Sequence, residues 1–205
     1  MNKLFYFAAT AIVASAGLFS IGAQAQSVTT LGTNDAYRCF ESAEYAVRSL
    51  SGSVSDIVEC NEAIREGRLS RRDKAATYIN RGIIRVNMGD IARAQQDYLS
   101  ALDISDRSPE TFINLGNLQY MMQDYSSAIS DYDHAESLGL TQRHVLFLNR
   151  GMAYMRVGQF DIAEAEYLKA LEVRPDWLNA QDKLADLVEK RADAATEAAE
   201  RAAAQ

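Results

Sequence analysis

The stretch TYINRGIIRVNMGDIARAQQDYLSALDI, residues 77–104, decides how this chain is read. It returns in register as TFINLGNLQYMMQDYSSAISDYDHAESL (111–138) and LFLNRGMAYMRVGQFDIAEAEYLKALEV (146–173). Aligned on Gly82, Gly116 and Gly151, the copies lie 34 and 35 residues apart, a period that belongs to helix-turn-helix solenoids. An aromatic residue stands four positions before each glycine (Tyr78, Phe112, Phe147). An Ala-x-x-x-Tyr pair follows (Ala94 and Tyr98, Ala128 and Tyr132, Ala163 and Tyr167), and Ala101, Ala135 and Ala170 close the units. The small residues mark where two helices of a unit approach closely, and the aromatics fill the space between units. Such a unit cannot bury its apolar face alone, so stacking supplies the core and the ends need caps. Unrelated amphipathic hairpins would keep the 3.6-residue period but not the glycine spacing.

These residues resemble the tetratricopeptide repeat, whose pattern runs aromatic-x-x-Leu-Gly-x-x-Tyr, then Ala-x-x-x-Phe, then Pro. Arg81 and Arg150 depart from it where Leu115 fits, Arg85 and Gln119 depart where Tyr154 fits, and only the third copy keeps the closing proline, Pro175. The resemblance implies an all-α, right-handed helix-turn-helix solenoid of about three units (75–108, 109–142, 144–177) and a role in binding another protein. Residues 34–74 read as an N-terminal helical hairpin cap, and residues 178–205 as a capping helix with a charged, alanine-rich tail. Turn and cap signals agree: Ser70 with Asp73, Gly89 with Asp90, Ser108 with Pro109, Asp124, Gly158 with Asp161, and Leu138-Gly139-Leu140. The final helix carries Leu178, Leu184, Leu187 and Val188 toward the solenoid; beyond Arg191 it reads as a solvated helix end, with self-association as the alternative.

Lys3, the apolar run Leu4 to Ile21 and the Ala23-Gln24-Ala25 ending read as a cleaved secretory signal over residues 1–25, followed by a flexible leader at 26–33. The expected location is the periplasm, or the exterior of a cell without an outer membrane, with no stable membrane insertion after cleavage. The chain carries 21 Lys plus Arg against 28 Asp plus Glu, and its basic residues are scattered, which argues against a nucleic-acid partner. Cys39 and Cys60 are the two cysteines of an exported chain, so a disulfide across the hairpin is expected, although ideal helices would leave them staggered by roughly 9 Å. The repeat core is expected to be independent of that loop.

No nucleotide, cofactor or metalloprotease motif is present, so no cofactor is implied and the chain reads as a non-enzyme. Asp131, Asp133 and His134 are the densest metal-capable cluster; residues 131 and 134 share a helix face and 133 does not, so they read as surface charge. What the resemblance implies is a concave groove lined by Ile79, Ile83 and Val86, by Ile113, Asn117 and Tyr120, and by Leu148, Met152 and Met155. Asn80, Asn114 and Asn149 recur beside them. The best-known groove of the family grips a peptide C-terminal carboxylate with Lys, Arg and Asn. Here the asparagines match, but Ile79, Val145 and Asn149 hold the basic places. An extended or helical partner segment fits such a groove; packing of the same residues between helices is the alternative. Met152 and Met155 are expected to form an adaptable, exposed surface. The competing readings are a self-associating structural subunit of an envelope complex and an enzyme with an unrecognised site.

Overall fold

A computed structural model describes residues 34–66 and 68–203. The signal segment and the leader read from the sequence lie outside these residues. The described chain is all helical: α1 (Asn34–Ser49), a 3₁₀ turn (Ser55–Ile57), α2 (Val58–Glu66), α3 (Arg71–Asn87), α4 (Ile91–Ile104), α5 (Pro109–Met121), α6 (Tyr125–Ser137), α7 (Arg143–Arg156), α8 (Phe160–Val173) and α9 (Leu178–Ala203). Among these elements, none is long and apolar enough to cross a membrane.

The helix starts follow local chemistry. The Ser70 hydroxyl accepts the Asp73 N–H at 3.1 Å and donates to the Asp73 carboxylate at 2.8 Å. Asp90 and Asp124 accept the Arg93 and Ser127 N–H groups, and Ser108 caps α5 with Pro109 in its first turn. At α8 the cap position falls on Gln159, which makes no side-chain bond, and Asp161 sits in the first turn. Gly89 and Gly158 end α3 and α7 with φ of 78° and 77°. The equivalent place in the middle unit is Gln123, at φ 64°, a left-handed residue that the sequence reading passed over.

Helices α3–α4, α5–α6 and α7–α8 form three hairpins that stack in order, with α1–α2 before them and α9 after. Each is held by one interlock. A Cβ built at Gly82, Gly116 or Gly151 would lie 2.5, 2.5 or 2.6 Å from Cε1 of Tyr98, Tyr132 or Tyr167, so the glycine is the slot into which the tyrosine of the second helix fits. All three tyrosines are fully buried.

The interior divides into two clusters. One joins Cys39, Ala43, Val47 and Cys60 to Ile79, Ile83, Ile84, Tyr98, Leu115 and Leu118. The other joins Ile113, Tyr120 and Tyr132 to Phe147, Met152, Tyr167, Trp177 and Leu187. Helix α5 contributes to both, and Phe112 packs against both.

Cys39 and Cys60 are bonded, with Cα atoms 4.8 Å apart. The expected stagger does not keep the two apart; residues 50–54, which lie outside helices, join α1 to the 3₁₀ turn. The bridge is part of the repeat core, because both cysteines share a cluster with Ile79 and Ile83. The expectation that the array is independent of this loop is corrected. The cap also differs at α9: Ala180 and Leu187 face inward, whereas Leu178 and Val188 are 67% and 65% exposed.

Candidate functional site

The first helix of each unit touches the first helix of the next, α3 to α5, α5 to α7 and α7 to α9, so these helices form a continuous row. The predicted groove residues all lie on it. Asn80, Ile83, Asn114, Asn117, Tyr120, Asn149, Met152 and Met155 are buried, and Val86 is half-buried. The flanking Ile79, Ile113 and Leu148 are buried as well. Met152 is 2% exposed, so the expectation that it is a solvent-exposed position is corrected: Tyr120, Tyr132, Phe147 and Tyr167 belong to the same cluster.

The structure joins the second and third units at this row. Asn149 Nδ2 donates to Asn117 Oδ1 at 2.8 Å, and the Tyr132 hydroxyl donates to the same oxygen at 2.9 Å. The Asn149 carbonyl oxygen is buried and has no hydrogen-bond partner. Nearby, the Tyr120 ring meets the Tyr125 ring edge-on at 5.2 Å, and Arg156 lies over Tyr125. Burial pushes the Tyr120 hydroxyl up to about 12, against the pull of Arg156, so it stays protonated at physiological pH. The row offers amides, a phenol and apolar side chains.

Asp131, Asp133 and His134 have different surroundings. Asp133 pairs with Arg150 at 2.7 Å, the His134 ring centroid lies 4.2 Å from that of Phe112, and Asp131 feels the charge of His134 without an ion pair to Arg150.

The arginines that break the sequence pattern are the residues sequence reasoning missed. Arg81 holds Asp97 through Nε and Nη2, the shortest contact being 2.7 Å, and reaches Asn61 of the cap; Arg85 holds the other Asp97 oxygen at 2.7 Å. Arg150 holds Glu166 at 2.8 Å and reaches back to Asp133 and Glu136 of the preceding unit at 2.7 Å each. Burial draws the Arg150 pKa down, but hydrogen bonds to Glu166 and Glu136 outweigh it, and the net shift is upward. The signal was present in the sequence: an arginine just before the glycine, with an acid just before the tyrosine of the partner helix.

The fold defined by these hairpins is a tetratricopeptide-like helix-turn-helix solenoid. The repeat model described as Tetratricopeptide repeat matches residues 75–107 and 145–176, which leaves the middle unit unmatched. Three solved structures are similar. The first tetratricopeptide domain of Spaghetti (RPAP3), bound to the HSP90 peptide SRMEEVD, is 21% identical with a TM-score of 0.54, over 58% of this chain and 94% of that one. The first such domain of human RPAP3, solved by NMR, is 20% identical with a TM-score of 0.55, over 58% and 93%. MamA (41-end) from Desulfovibrio magneticus RS-1 is 17% identical with a TM-score of 0.56, over 81% and 90%. No curated protein sequence matches the chain.

Proposed function

We propose that this protein is an exported, non-enzymatic interaction module whose inner helix row takes up an extended or helical segment of another protein through its uncharged side chains. The observation that carries the reading is the continuous row of first helices, whose Asn80, Asn114 and Asn149 are buried among apolar residues and which has no basic residue at Ile79, Val145 or Asn149. The repeats support a protein partner, as does the HSP90 peptide bound to the similar Spaghetti domain. A row without basic residues suits an internal segment better than the carboxylate of a free C-terminus.

The test has two stages. Cross-linking in the native envelope fraction identifies the partner segment, which is then synthesised and titrated calorimetrically with a free or an amidated C-terminus. Equal, saturable affinity for both forms is expected. Loss of binding on amidation, or no saturable binding, overturns the reading. Export is read from the apolar run and the Ala-Gln-Ala ending, and the intact mass of the envelope-purified protein checks it: a chain starting at Gln26 is expected, and a retained Met1 to Ala25 would make it membrane-anchored.

A further inference from the structure

The first and third repeats share a clamp that the middle repeat lacks. Arg81 and Asp97 are sixteen residues apart, as are Arg150 and Glu166, and each pair ties the first helix of its hairpin to the second. Sixteen residues after Leu115 stands Asp131, the acid of a third pair whose arginine is missing. Leu115 is buried in the N-terminal cluster, and Asp131 is half-buried with no hydrogen-bond or ion-pair partner among the described residues.

The elements packed against α6 are α5 and α7. Helix α5 offers Glu110 and Tyr120, neither of them a cation. Helix α7 offers Arg143, His144, Arg150, Tyr154 and Arg156. Arg143 and Arg150 are held by Glu136, Arg150 also by Asp133 and Glu166, and Arg156 lies on Tyr125. On α6 and its cap, Asp124, Tyr125, Tyr132, Asp133, His134 and Glu136 complete the set. None replaces the missing guanidinium.

We propose that Asp131 makes the middle repeat proton-responsive: uptake of a proton at its carboxyl stabilises the α5–α6 hairpin selectively over α3–α4 and α7–α8. Burial pushes this carboxyl up to about 6, with His134 pulling it down and Asp124 pushing it up. The folded pKa lies above the ordinary value of 3.8. The associated stability is therefore complete below that value and lost as pH rises through about 6.

The test compares wild type with Asp131→Asn, a neutral mimic, so that all other titrations cancel. At pH 7.5 the variant should melt several degrees higher, and its amides in α5 and α6 should exchange more slowly while those of α3 and α4 do not change. At pH 4.5 the melting gap should narrow sharply. A gap of equal size at both pH values overturns the proposal, and so does a gap without selective protection of α5 and α6. The second variant, Leu115→Arg, supplies the missing guanidinium and should return the Asp131 carboxyl, followed by carbon NMR, to the ordinary carboxylate range. If that variant does not fold, the Asp131→Asn comparison decides alone.

Discussion

The slot at Gly116 leaves less room than one methyl group. In Gly116→Ala the new carbon would sit 2.5 Å from Tyr132 Cε1, a side chain packed on all sides. Overpacking of this kind costs about 1–3 kcal/mol, and thermal unfolding should show a matching drop in melting temperature. Gln123 predicts the opposite sign. Glycine relieves the left-handed strain of about 1–2 kcal/mol and adds unfolded-state entropy of about 0.5–1 kcal/mol. Gln123→Gly should therefore stabilise the protein by up to about 1 kcal/mol in urea titration. Gly82, Gly116 and Gly151 were legible because a close approach leaves a fixed residue type at a fixed spacing. The burial of Met152 was not, because position on an inner helix face does not say whether that face is wet, and a thioether suits either environment.

Helices were legible for the same reason as the repeats: period, caps and turn glycines agree. The α1–α2 hairpin was legible as an element but not in its depth of packing, since the sequence showed two cysteines and not the residues they would touch. As the bridge lies in the N-terminal cluster with Ile79 and Ile83, reduction should remove about 3 kcal/mol of stability and raise amide exchange in α3 as well as in α1 and α2. Exchange confined to α1 and α2 would show the cap to be separable. The Arg150–Glu166 pair gives a sharper expectation between α7 and α8. Arg150→Met leaves Glu166, which is 3% exposed, with Lys169 as its remaining partner at 2.7 Å, and should cost somewhat less than the ~3–5 kcal/mol of a fully stranded buried charge. Adding Glu166→Leu should recover much of the loss in a double-mutant cycle measured by denaturant unfolding.

The molecule as a whole is a linear array, and its cooperativity depends on what couples neighbours. The two clusters meet at α5, and Phe112 packs against both. The chain's single tryptophan, Trp177, belongs to the C-terminal cluster alone. In wild type, tryptophan fluorescence and helical circular dichroism should therefore unfold at the same denaturant concentration. In Phe112→Ala the two midpoints should separate, the fluorescence reporting only the C-terminal part. Coincident midpoints in the variant would place the coupling elsewhere.

The reach of Arg150 back to Asp133 and Glu136 fixes the order of the modules. At the corresponding places the first hairpin has Leu99 and Leu102, and the third has Leu168 and Leu171. A cassette copied from residues 144–177 and inserted after itself would aim its arginine at two leucines. A cassette from the middle, moved to the end, would present acids with no guanidinium opposite. The units share a shape but are not interchangeable parts. Lengthening this solenoid would require matching the charge written on each junction, so its sequence carries an assembly order as well as a fold.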